Sequence, residues 1–247
     1  MRVGLFITCL VDTMRPEIGL ATVKLLEAAG CTVEVPMSQT CCGQPAWNSG
    51  DAPATRALVQ KFVDEFEGFD AVVAPSGSCI GMVVKHYPDV VREDAQLSQR
   101  VSALVHRVYE LTDFLVRVRG VKPGEFASLS AGSQVHKLTY HDCCSGLREL
   151  GIQSQPRQLI AQNTPHQMEE MPDARNCCGF GGTFALKYGD VSAAICSDKC
   201  ASIARTGADA VVMGDLGCML NIEGRMRHTG EMNTRVLHVA QVLAGDL

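Results

Sequence analysis

The chain has 247 residues, 46% hydrophobic and 20% charged, an ordinary globular balance with room for one large domain or two of about 120 residues. A formal charge of −5 gives nucleic-acid binding no electrostatic support, and no apolar run reaches the roughly 18–20 residues that span a bilayer. Twelve cysteines without a recognisable export signal point to a reducing, cytoplasmic setting, where thiols serve metals or redox chemistry.

In chain order, residues 3–9 (VGLFITC) form an apolar run ending in Cys9 and read as a first strand. Pro16 to Ala29 has helical spacing, with proline at its start and Gly30 at its end. Thr32 to Val35 is a short β-branched strand, followed by a loop carrying Cys41 and Cys42. Asp51 is placed to cap a helix running to about Glu67. Ala71 to Ala74 reads as a buried strand leading into Pro75–Cys79, with a helix from Ile80; Val105–Leu111 and Asp113–Val118 read as strand and helix. The second half repeats this grammar. Lys137–Tyr140 is a strand leading into His141-Asp142-Cys143-Cys144, and a helix surrounds Pro156 to Gln162. A short strand near Gln167–Met171 precedes the loop with Cys177 and Cys178. Val191–Arg205 is helical, Ala210–Met213 is a strand running into Gly214–Cys218, and Arg235–Val239 closes the pattern. The expected fold is α/β, with two pseudo-symmetric repeats, each a small, mostly parallel sheet flanked by helices. The expected boundaries are 1–122, a linker over 123–135, and 136–247.

Two cysteine quartets carry the chemistry: Cys9, Cys41, Cys42, Cys79 and Cys144, Cys177, Cys178, Cys218. Thirty-one residues separate Cys9 from Cys41 and thirty-two separate Cys144 from Cys177. Thirty-six separate Cys42 from Cys79 and thirty-nine separate Cys178 from Cys218. The adjacent pairs are poor disulfide candidates, because neighbouring Cα atoms lie about 3.8 Å apart and disulfides want about 4.4–6.8 Å. Open α/β sheets gather ligands at the carboxyl ends of their strands, so each quartet can converge there. Thiolates select iron–sulfur clusters, zinc or Cu(I). The usual CxxC zinc spacing and the ferredoxin spacings are both missing, which favours an unusual cluster site. Gly179-Phe180-Gly181-Gly182 lacks the context of a nucleotide loop; it suits close backbone approach to a cluster with N–H groups aimed at sulfur. Cys196 and Cys200 share one helix face and read as structural, as does Cys31. Cys143 is an alternative to Cys144.

The segments Cys41–Gly50, His141–Cys144, Cys177–Phe184 and Asp215–Asn221 resemble a known family. The two halves are similar to the cysteine-rich CCG domains of heterodisulfide reductase and of the glycolate oxidase iron–sulfur protein. Over nearly the whole chain the resemblance is to the lactate utilisation protein A family, also called the LutA, LldE or YkgE proteins. It implies an iron–sulfur subunit of a bacterial L-lactate oxidation system, converting lactate to pyruvate with two partner subunits. The resemblance also selects Cys144 over Cys143. It implies up to two [4Fe–4S] clusters held by the two quartets, with zinc as the alternative. The broader CCG pattern ends in CxxC; here Ser76 and Asp215 replace the first cysteine of that pair, so each half offers four thiolates rather than five. Asp215 is expected to serve a turn or cap, and His141 to reach a cluster sulfur or to pack at a strand end. Two rivals stand beside the electron-transfer reading: a thiol–disulfide reductase, and a zinc-stabilised interaction module.

Overall fold

The computed structural model describes residues 1–130 and 137–246; the expected linker over 123–135 extends outside them. The first half contains β1 (Arg2–Leu5), β2 (Thr32–Glu34), β3 (Ala71–Ala74) and β4 (Val108–Glu110). The second contains β5 (Lys137–Tyr140), β6 (Gln167–Met168), β7 (Ala210–Met213) and β8 (Arg235–His238). The sheet orders are β2-β1-β3-β4 and β6-β5-β7-β8, and every pairing is parallel. Helices cover the sheets, and the central strands Ala71–Ala74 and Ala210–Met213 are buried throughout, as parallel strands with both faces covered require. Asp51 caps Ala52–Phe66 by accepting from the Ala54 N–H at 3.1 Å. One expectation shifts: Val105 ends the helix Ala95–Val105, capped by Asp94, and the strand begins only at Val108.

Registers make the repeats superimposable by residue. Leu5 pairs Val73 as Tyr140 pairs Val212. The Phe6 N–H donates to the Val73 carbonyl and the His141 N–H to the Val212 carbonyl, both at 2.9 Å. Counting onward, Phe6 corresponds to His141, Thr8 to Cys143 and Cys9 to Cys144; Ser76 corresponds to Asp215 and Cys79 to Cys218. The halves pack on each other. Apolar side chains of both, among them Leu25, Phe114, Leu159 and Val242, form one continuous core. The helices Gly77–Gly81 and Cys144–Leu150 touch through glycines: a Cβ on Gly77 would lie 3.0 Å from the Gly146 Cα.

Glu110 and His238 end corresponding strands, β4 and β8, and both are buried. Glu110 Oε2 accepts from the Thr112 N–H (2.8 Å), the Thr112 hydroxyl (2.6 Å) and the Asp113 N–H (3.1 Å). His238 Nδ1 accepts from the Ala240 N–H at 3.1 Å. Burial pushes the Glu110 carboxyl up from 4.5 to about 7 and the His238 imidazole down from 6.5 to about 4. The signs oppose each other. Glu110's contribution is complete below pH 4.5 and is lost as pH rises through 7; His238's is complete above pH 6.5 and is lost as pH falls through 4. Glu110→Gln exposes the histidine slope. Between pH 7 and pH 5 the variant is expected to lose about 2 kcal/mol relative to the parent, measured by urea unfolding at the two pH values.

Candidate metal centres

Each quartet is assembled at the carboxyl ends of its strands. Cys9 begins the helix Cys9–Met14, four residues past β1; Cys41 and Cys42 lie in the loop before Gln44–Asn48; Cys79 lies in Gly77–Gly81, just past β3. The Cys41 thiol lies within hydrogen-bonding reach of Cys42 and Cys9, and Cys42 reaches Cys79. Hydrogen bonds from Cys42 and Cys9, and the Gly43 N–H at 3.4 Å, bring the Cys41 thiol down to about 3, while the donating Cys9 and Cys42 thiols are pushed up. The Tyr87 hydroxyl fixes the loop by donating to the Cys42 carbonyl at 2.9 Å. Cys42 is buried, Cys41 and Cys79 half-buried and Cys9 exposed. All four line a cavity of about 170 Å³ whose opposite wall is the second half, including Phe180, Thr183, Asp215 and Gly217.

The second quartet repeats the plan. Cys144 begins the helix Cys144–Leu150, Cys177 and Cys178 lie in the loop before Thr183–Lys187, and Cys218 lies in Leu216–His228. Cys177 accepts from Cys144 and Cys178, and from the Gly179 N–H at 3.3 Å, which lowers its thiol strongly; Cys144 is pushed up and Cys178 rises to about 12. The Asn221 amide donates to the Cys178 carbonyl at 2.8 Å, the counterpart of Tyr87. Gly179 has φ +88, as Gly43 does, and a Cβ there would meet the Ser192 carbonyl oxygen at 2.6 Å. Only glycine turns the loop so that its N–H faces sulfur.

The two sites differ in what surrounds the thiols. Phe6 and Thr8 flank the first quartet where His141 and Cys143 flank the second. A nitrogen of His141 and the sulfurs of Cys178 and Cys218 all lie within 4.8 Å of one another. Cys143 is within hydrogen-bonding reach of Cys218, so the structure brings both Cys143 and Cys144 to the site. Neither ring nitrogen of the buried His141 has a well-formed hydrogen bond, and burial lowers its pKa to about 3. Buried Lys199 stands beside this group, its ammonium donating to the carbonyls of Asp173 and Ala174. No sequence signal marked Lys199 or Tyr87, whereas Asn221 lies inside a motif already singled out. Asp215 caps Leu216–His228 through the Gly217 N–H at 3.1 Å. Cys31 is packed in the core, and Cys196 and Cys200 lie against the helix Leu216–His228.

Four converging thiols with backbone N–H groups at sulfur are soft, anionic donor sets, and they fit an iron–sulfur cluster or zinc. Two parallel α/β repeats, each closing over such a quartet, define a tandem cysteine-rich-domain protein. A family model for the cysteine-rich domain (CCG) matches residues 3–84 and 138–223. The chain belongs to the lactate utilization protein A family: it is 41% identical to lactate utilization protein A of Macrococcus caseolyticus, over 98% of this chain and 96% of that one. It is also 39% identical to lactate utilization protein A of Bacillus subtilis, over 98% and 99%. Among solved structures, a hypothetical protein from Helicobacter pylori shares the fold, with TM-score 0.65 and 10% identity, covering 98% of this chain; this chain spans 48% of that one. Among the described residues no helix is long and apolar enough to cross a membrane.

Proposed function

We propose that the chain is an iron–sulfur subunit of an L-lactate-oxidising system, relaying electrons while lactate becomes pyruvate. Cys9, Cys41, Cys42 and Cys79 would hold one [4Fe–4S] cluster, and Cys144, Cys177, Cys178 and Cys218 another. The observation that carries this reading is the convergence of both quartets at corresponding strand ends, in a chain whose relatives are named for lactate utilisation. A bound cluster supplies one-electron transfer. The chain's own residues hold the thiolates in register, aim the N–H groups of Gly43 and Gly179 at sulfur, and place the Lys199 charge beside the second set. No flavin or nicotinamide fingerprint is visible in the sequence, so lactate dehydrogenation is assigned to partners, two other subunits of a cytoplasmic system. The two repeats are assigned to 1–122 and 136–247, joined by 123–135. A strain lacking the gene is expected to lose growth on L-lactate, in a host without a duplicate system, and to regain it with the parent chain. Normal growth of that strain removes the assignment.

A second reading rests on the spacing at His141, Cys178 and Cys218. Zinc takes such mixed nitrogen–sulfur donor sets in tetrahedral sites, with bonds of about 2.0–2.3 Å, and these three donor atoms all lie within 4.8 Å of one another. Iron, acid-labile sulfide and zinc analysis of anaerobically purified protein separates the readings. One zinc per chain with half the expected sulfide, the zinc being lost in His141→Ala, assigns zinc to the second half.

A further inference from the structure

Lys199 is 2% exposed, a depth that lysine tolerates where its charge is met. Its Nζ faces three acceptors: the carbonyl oxygens of Asp173 and Ala174, and Met171 Sδ at 3.9 Å. Three acceptors suit the three N–H bonds of an ammonium. The charge itself forms no ion pair among the described residues. Asp142 and Asp173, the acidic side chains nearby, are held by Arg157 at 2.7 Å and Arg205 at 2.8 Å. Carbonyl dipoles solvate a buried cation without neutralising it, and a buried charge calls for an opposite one. What faces Lys199 is the second quartet. Lys199 and Cys177 line one cavity of about 130 Å³. Burial lowers the ammonium's pKa, and the negative charges of Cys178 and Cys218 are among those that work against this.

The first half places no such charge there. A Cβ on Gly43 would meet Leu58 and Thr55, and one on Gly179 would meet Ile195 and Ser192, so the two cysteine loops lie on equivalent helices in one register. Four residues beyond Leu58 and Ile195 stand Phe62 and Lys199. Phe62 is buried and meets Phe6 edge-on, ring centroids 5.1 Å apart, and Phe6 is the counterpart of His141. An aromatic pair behind the first quartet is thus exchanged for an imidazole and an ammonium behind the second. The second quartet is also the more enclosed: Cys178 and Cys218 are buried, whereas the first has Cys42 buried and Cys9 exposed. Enclosure raises the cost of the negative charge that a thiolate-held cluster gains on reduction, and a fixed cation lowers it.

We infer that Lys199 is the counter-charge of the second metal centre, stabilising its reduced, more negative state and raising its reduction potential, with no equivalent at the first. This role rests on the cluster reading of the second quartet. Lys199 forms no bond to the centre and gives up no proton; its part is electrostatic.

Cys42→Ser isolates the second centre and Cys178→Ser the first. Full-length chains in both backgrounds, purified anaerobically, are titrated with dithionite in the presence of redox dyes and followed by electron paramagnetic resonance, with iron and sulfide measured on the same samples. In Cys42→Ser, adding Lys199→Met or Lys199→Gln is expected to lower the second centre's potential by about 59 mV or more, a tenfold shift of the one-electron equilibrium. Glutamine still donates N–H groups to the carbonyls but carries no charge, so the two variants should agree. In Cys178→Ser, Lys199→Met should shift the first centre's equilibrium less than about twofold. Where Met and Gln cost the second centre its iron, Lys199→Arg decides: iron regained with the charge supports the role, and iron lost overturns it. A parental potential in Lys199→Gln, whether or not Lys199→Met lowers it, overturns the counter-charge. A Cys42→Ser chain with zinc and no acid-labile sulfide overturns the cluster reading instead.

Discussion

Replacing Cys42 and Cys178 together with serine is expected to strip the chain of iron and acid-labile sulfide. Anaerobically purified variant should retain about a tenth or less of the parent content, because a serine hydroxyl offers a hard, protonated donor where a soft metal needs a thiolate. Both positions are buried, 2% exposed in each case, so solvent thiols do not replace the missing ligand. Each is also anchored by its carbonyl, to Tyr87 and to Asn221, so the loop stays in place while its sulfur is lost. The single variants divide the signal. Cys42→Ser should remove the first site's share and Cys178→Ser the second's, and growth on L-lactate should fail in both if both sites relay electrons. Cys31→Ala is the control, since Cys31 packs in the core away from both quartets. Parent-level iron in the double variant would show that these thiols are not ligands.

The quartets were legible because their spacing repeats, and the strands because each cysteine loop follows a short apolar run. Asp51 was legible as a cap because it precedes a helical pattern with proline near its start. What escaped were features set by tertiary contact. The helix Leu216–His228 carries Gly224 and several polar residues, so its apolar stripe is weak; it forms because Asp215 caps it and Leu216, Ile222 and Met226 meet the core. Cys79 was read as the end of a loop, yet it lies inside a helix because Ser76 Oγ accepts its N–H at 3.3 Å. At the sequence level His141 stood between reaching a cluster sulfur and packing at a strand end. Its meaning comes from the corresponding residue, Phe6, which makes the second site the polar, nitrogen-bearing member of an otherwise matched pair.

Ser76 and Asp215 stand where the wider five-cysteine pattern has thiols, and the pseudo-symmetry brings these two positions together across 139 residues of sequence. Asp215 Oδ2 accepts from the Ser76 hydroxyl at 3.1 Å and the Ser78 N–H at 2.9 Å, while Oδ1 accepts from the Gly217 N–H at 3.1 Å. The carboxylate thus caps one half's helix and binds the other half's cysteine loop, at 5% exposure. Asp215→Ala leaves the Gly217 and Ser78 N–H groups without this acceptor, while the Ser76 hydroxyl keeps Ser78 Oγ at 3.3 Å. Loss of the cap costs about 1 kcal/mol, and each stranded, buried donor costs about 1–3 kcal/mol. The expected destabilisation is about 2–4 kcal/mol in urea unfolding at pH 7. Asp215→Asn should fall between, because its amide keeps one oxygen for the cap but turns N–H groups toward Ser76 and Ser78. A double-mutant cycle with Ser76→Ala isolates the side-chain part of the bridge, with an expected coupling of about 1 kcal/mol; additive losses would leave the Ser78 N–H as the contact that joins the halves. Because both residues also line the cavity before the first quartet, a positive coupling would mean that the contact joining the halves also shapes the space where the first metal centre meets the second half.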